Sequence, residues 1–86
     1  MEFEFDPDKS RQNTVKHGLD FVEAQALWRD DRRVEIPART LGEPRIATIG
    51  MIERDVWVAV WTPRGGMVRL ISVRRARGNE GKLYEG

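Results

Sequence analysis

Val56-Trp-Val-Ala-Val-Trp61, continued by Thr62-Pro-Arg-Gly-Gly66 and Met67-Val-Arg-Leu-Ile-Ser-Val-Arg74, decides the fold. The first run is apolar at every position, so a strand there buries both faces and belongs in the middle of a sheet. Pro63 to Gly66 interrupts it with hairpin chemistry, because two consecutive glycines take positive φ without a steric penalty. Met67 to Arg74 is then the returning strand. Working back along the chain, Arg45-Ile-Ala-Thr-Ile-Gly50 leads into the central run across a turn at Glu53-Arg-Asp55. Arg33-Val-Glu-Ile36 is a shorter strand that Pro37 ends or confines to an edge, since proline offers no donor to a ladder. An antiparallel meander of about four strands is expected.

The N-terminal third reads differently. Glu2-Phe-Glu-Phe5 alternates with period two, which predicts a short strand with Phe3 and Phe5 facing the core. Asp6-Pro7 marks a helix start, Asp6 capping free N–H groups and Pro7 sitting where no donor is needed. That helix runs to Lys16 or His17, because Gly18 can take the left-handed C-terminal cap. Asp20 and Glu23 have the spacing of a capping box, with Phe21, Ala24 and Trp28 on one face of a second helix. The tail from Arg75 to Glu85 has helical character weakened by Gly78 and Gly81. The sum is an α+β domain spanning residues 1–86, its two helices packed on one face of the sheet and a C-terminal helix possible beyond it.

Composition narrows the classes. A domain of 86 residues buries only about 60–65% of its unfolded surface, so a partner can supply much of its working stability. Three Trp and 40% hydrophobic residues argue for a folded chain. No cysteine means no disulfide and no thiolate metal site, which fits a cytoplasmic protein. No apolar run is long enough for a membrane span, and the acidic, alternating N-terminus lacks the pattern of a signal peptide. The net charge of +1 conceals an asymmetry: residues 1–31 hold eight carboxylates, whereas Val56 to Asn79 holds none and contains Arg64, Arg69, Arg74, Arg75 and Arg77. Such a local excess attracts polyanions. The plainer alternative is that these arginines pair with the acidic N-terminal segment.

One histidine, no cysteine and scattered carboxylates do not make a zinc site, and Gly65-Gly66 lies in a hairpin rather than a phosphate-cradling loop. Metal-free RNA cleavage needs fewer parts. The ribose 2′-hydroxyl is the nucleophile, so the protein supplies a proton acceptor, a proton donor and positive charge for the transition state. His17 carries an imidazole, which titrates near neutrality, yet a cationic ring at a helix C-terminus also stabilises the helix dipole. Lys16 has the same two readings. Arg69 and Arg74 are five positions apart and face opposite ways on an ideal strand; only a bulge or the strand end brings them to one phosphate. On an ideal strand Arg69 shares a face with Arg75, and Ser72 with Arg74. Trp57 and Trp61 share one face and read as core more readily than as base-stacking platforms. Tyr84 could donate a proton or stack.

These residues resemble the BrnT family of bacterial toxins. Such proteins open with an aromatic-Asp-Pro-x-Lys start, here Phe5-Asp-Pro-Asp-Lys9, and continue with Asn-x-x-Lys-His-Gly and Phe-x-x-Ala, here Asn13, Lys16, His17, Gly18, Phe21 and Ala24. Arg45 to Gly50 match a central Arg-x-x-x-Ile-Gly. The closing pattern is met by Arg69, Ile71, Ser72, Arg74, Ala76, Glu80 and Tyr84, while Gly78 and Gly81 depart from it. The resemblance implies a RelE-like fold and an endoribonuclease toxin of a type II toxin–antitoxin system, working on RNA without a metal or other cofactor. It implies a BrnA-like antitoxin with a ribbon-helix-helix domain, two copies of each in the complex, and operator DNA reached only through the antitoxin. Carried onto this chain, Arg69 and Arg74 bind the scissile phosphate, and His17 or Lys16 moves a proton. Arg64 and Arg75 grip flanking phosphates, Tyr84 contacts substrate, and Ser72 and Glu80 orient the arginines. The competing classes are a nucleic-acid-binding module without catalysis and a protein-interaction subunit whose arginines meet an acidic partner.

Overall fold

The computed structural model describes residues 1–39 and 42–86. Along the chain follow β1 (Phe3–Glu4), α1 (Pro7–His17), a 3₁₀ helix (Glu23–Arg29), β2 (Val34–Ala38), β3 (Arg45–Ile52), β4 (Asp55–Arg64), β5 (Met67–Arg75) and α2 (Gly78–Glu85). The doubly apolar run is the middle strand, as its composition requires: the sheet order is β1-β5-β4-β3-β2. Pro37 lies in the edge strand β2, where a missing donor costs no ladder bond.

The sheet has five strands and is mixed, which corrects the expected four-stranded antiparallel meander. Phe3 and Glu4 pair in parallel with Val68 and Arg69, and the Val68 N–H donates to the Glu2 carbonyl at 2.9 Å. β5 had one flank without a neighbour, and β1 is tied to it by no hairpin, so neither pairing direction was imposed by a turn.

One face packs against α1 and the 3₁₀ helix. Its core joins Trp57, Ala59 and Trp61 of β4 to Val68, Leu70 and Val73 of β5, beneath Leu19, Phe21, Ala24 and Leu27. Phe3 meets Trp28 edge-on at 5.0 Å, and Phe5 meets Phe21 at 5.6 Å. The capping box forms, Glu23 N–H to Asp20 and Asp20 N–H to Glu23. What it opens, however, is a 3₁₀ helix, and here too the expectation needs correcting. Three residues per turn stack Phe21, Ala24 and Leu27 over one another, and all three are buried to 1% exposure or less. Trp28, the expected α-helical partner, is only half-buried. The possible C-terminal helix forms as α2. It lies on the opposite face, where Tyr84 and Ala76 pack with Ala47, Ile49 and Val58. This second layer is why β4 needs apolar residues on both faces.

α1 begins and ends as its sequence dictates. Asp6 accepts the Asp8 N–H at 2.9 Å, and Gly18 takes φ 86° while its N–H closes on the Thr14 carbonyl. A Cβ on Gly18 would meet nothing within 4 Å, so only the backbone conformation resists substitution. Gly18→Ala should therefore cost about 1–2 kcal/mol in urea unfolding, with Gly18→Asn costing less; equal stability of all three would contradict this. Among the described residues no helix is long and apolar enough to cross a membrane.

Candidate functional site

A single irregularity in β5 decides which of the candidate residues share a face. Val60 pairs with Ser72 but Trp61 pairs with Leu70, so Ile71 is an extra residue opposite no partner. Across this bulge the side-chain alternation resets. Leu70 and Val73, three positions apart, both enter the core beneath α1 and the 3₁₀ helix. Arg69, Ser72 and Arg74, opposite Thr62, Val60 and Val58, consequently share the other face. The five-residue spacing that separates Arg69 from Arg74 on an ideal strand is thus compatible with one surface. Measured along β4, their partners are four residues apart, about 13 Å. Strand alternation from Thr62 adds Arg64 to this face and assigns Arg75 to the other.

The helix α1 reaches the site over the free edge of β5. Beyond Arg69, β1 has ended and the Val73 backbone would be unpaired. Asn13 takes both groups: its Nδ2 donates to the Val73 carbonyl at 2.7 Å and its Oδ1 accepts the Val73 N–H at 3.2 Å. The same amide donates to the Leu19 carbonyl at 2.8 Å, binding the helix corner to the strand. This junction leaves a cleft of about 220 Å³ lined by Lys9, Gln12, Asn13, Lys16, His17, Ile71 and Ser72. Lys16 and His17 therefore stand beside Ser72, between the two arginines in sequence. His17 is half-buried and Lys16 exposed.

Arg69, Arg74 and Arg75 each have a carboxylate partner. Arg69 Nη1 lies 3.6 Å from Glu4, the one contact among these arginines that meets the acidic N-terminal segment. Arg74 forms a two-point pair with Glu80, Nη1 to Oε1 and Nη2 to Oε2, both at 2.7 Å. That pairing holds the Glu80 carboxyl below its ordinary range and the Arg74 guanidinium above its own. Arg75 sits 5.3 Å over the Trp57 ring and 3.1 Å from Asp55. Arg64 is exposed beside the Gly65-Gly66 turn. Tyr84 is half-buried, and its hydroxyl donates to Asp30 at 2.6 Å, which pushes the phenol up.

Asp30 is the residue that sequence reasoning missed. Its carboxylate accepts from Tyr84 and from the Met51 N–H at 2.8 Å, where β2 no longer covers the edge of β3. Burial pushes the Asp30 carboxyl up, but the bonds from Tyr84, Met51 and Arg32 outweigh it and hold the group low. No periodicity marks one of two adjacent aspartates, Asp30 and Asp31, as an edge plug.

The two depressed carboxylates, Glu80 and Asp30, both anchor α2, one to β5 and one to the 3₁₀ helix. A carboxyl whose pKa is lowered by folding stabilises the fold above the ordinary carboxylate range near ~4 and loses that contribution as pH falls through its folded value. Stability in urea should thus be flat from neutrality down to about pH 5 and decline below about pH 4, by roughly 1 kcal/mol or less for each partly exposed group. Glu80→Gln should remove part of that decline. Stability that stays constant from pH 5 to pH 3 would refute the assignment.

Among the described residues no group of three or more His, Cys, Asp or Glu side chains gathers as a metal site would require. What gathers is cationic. Fold and surroundings together define a small α+β protein with Arg69 and Arg74 on one face of β5 and the ammonium groups of Lys9 and Lys16 beside the imidazole of His17 at the neighbouring cleft. The chain belongs to the BrnT family: the family described as "Ribonuclease toxin, BrnT, of type II toxin-antitoxin system" matches residues 5–80. No curated protein matches the chain significantly. The resemblance carried by the Asn13–Ala24 and Arg69–Glu80 patterns is thereby shown, and with it the class of ribonuclease toxins of type II systems, while Tyr84 lies beyond the matched residues.

Proposed function

We propose that this protein is a cytoplasmic, metal-independent endoribonuclease toxin, and that its site is the face carrying Arg69, Ser72 and Arg74 with Lys16 and His17 at its rim. The observation that carries this reading is the Ile71 bulge, because it gives two arginines a common surface that an ideal strand would deny them. In the proposed reaction the ribose 2′-oxygen bonds to the adjacent phosphorus while the bond to the 5′-oxygen breaks. The 2′-oxygen loses its proton and the leaving 5′-oxygen gains one, with His17 or Lys16 taking part in this transfer, leaving a cyclic phosphate and a 5′-hydroxyl. Arg69 and Arg74 stabilise the extra negative charge, their planar forks matching phosphate oxygens. Arg64 grips a flanking phosphate on the same face. Arg75 serves a more distant one, across a second cleft of about 470 Å³ that Arg77 and Lys82 also line. Tyr84, already committed to Asp30, acts by anchoring α2. A BrnA-like antitoxin, two copies with two toxins, would silence the activity and bring the complex to operator DNA. The likeness to RelE-type folds belongs to the same proposal.

Induced expression of the lone protein in bacteria, with RNA ends mapped within minutes, tests the reading. Growth arrest with new RNA ends is expected. Normal growth with soluble protein and intact RNA would overturn it in favour of a binding module. The carboxylates already paired with Arg69, Arg74 and Arg75 are the features that favour that second reading.

A further inference from the structure

The fork of Arg74 is already occupied. Both terminal nitrogens donate to the two oxygens of Glu80, and the pair is largely shielded, with side-chain exposures of 23% and 13%. A carboxylate in this two-point arrangement offers the guanidinium the same pair of acceptors as a phosphodiester. Glu80 Oε1 also accepts the Arg77 N–H at 2.8 Å, so the same side chain caps the start of α2. That helix has little else to hold it. It contains Gly78 and Gly81, has no fully buried residue, and touches the sheet through Tyr84.

We infer that Glu80 sets the affinity of the Arg74 site: it holds the guanidinium as an internal stand-in for a substrate phosphate, and an RNA phosphodiester gains the fork only by displacing Glu80 and loosening α2. This rests on the reading of Arg74 as a phosphate-binding group. It makes α2 a latch closed by one ion pair, while the Tyr84–Asp30 bond keeps the far end of the helix attached. A residue that merely oriented Arg74 would behave in the opposite sense, since removing it would weaken binding.

Affinity measurements on the full chain separate the two. The probe is a short single-stranded RNA carrying 2′-O-methyl groups, which cannot be cleaved because its nucleophile is blocked. Glu80→Gln is expected to bind it about two- to fivefold more tightly than the unsubstituted protein, the range for releasing one partly exposed ion pair. Glu80→Asp, which keeps the charge but shortens the reach, should also tighten binding and guards against a folding defect in the first variant. The gain should vanish in an Arg74→Ala background, whereas a general charge effect would persist there. Hydrogen exchange of the amides from Gly81 to Glu85 should accelerate when the probe binds. Equal or weaker binding by both Glu80 variants, a gain that survives without Arg74, no binding by any form, or unchanged exchange in α2 would each overturn the inference. Intact cellular RNA combined with the Arg74-dependent gain would sink the ribonuclease reading and leave the Glu80 inference standing.

Discussion

Arg69→Ala is expected to lower RNA cleavage by about 10²–10³-fold and to abolish growth arrest, while leaving the fold intact. Arg69 is the cleaner of the two arginines to remove. Its ion pair is a 3.6 Å contact with Glu4, both side chains about one-third exposed, and such a pair contributes under about 1 kcal/mol. Arg74→Ala should give a loss of similar size in cleavage, but it also frees Glu80 and with it the start of α2. Comparing the two separates chemistry from scaffolding. Arg69→Lys should recover only part of the activity, because an ammonium keeps the charge and loses the planar fork. RNA ends mapped in cells expressing each variant give the readout, with circular dichroism confirming the fold. An Arg69→Ala protein that still arrests growth at matched expression would remove Arg69 from the site.

The second large effect is on stability. Asn13→Ala is expected to cost about 2–4 kcal/mol, since it strands the Val73 N–H, the Val73 carbonyl and the Leu19 carbonyl at once. For a domain of this length the total is of order 5–10 kcal/mol, so the midpoint of thermal unfolding should fall by roughly 10–25 °C. Asn13→Asp should be no milder, because a carboxylate accepts from Val73 but faces two carbonyls. The same change unpins α1 from β5, so Lys16 and His17 lose their fixed place beside Ser72. A loss below about 0.5 kcal/mol in urea unfolding would mean that water replaces the amide without penalty, and the junction would not be what positions the cleft.

Much of this was legible in the residues because it depends on short-range rules. Asp6-Pro7 and Gly18 bound α1 through capping alone. Gly65 and Gly66 place the β4–β5 turn with φ of 58° and 78°, and a run apolar on both faces has to be central. The motif residues from Asn13 to Ala24 and from Arg69 to Tyr84 pointed to the family that matches the chain. The spacing of Val68, Leu70 and Val73 even held a signal of the bulge, since period two breaks between the last pair.

The rest depended on partners far away in sequence. A strand cannot choose where to insert an unpaired residue until β4 lies beside it and the core requires both Leu70 and Val73 on one side. For the same reason local sequence did not set the parallel pairing of β1, the placement of α2 on the opposite face, or the plugging of two sheet edges by Asn13 and Asp30. Residue types and spacing determined an α+β domain with arginines concentrated near its last strand, and the motif residues carried the resemblance to a toxin family. The tertiary structure decided which of its cations share a face. Side-chain direction on a strand is a parity, and one long-range packing demand is enough to reverse it.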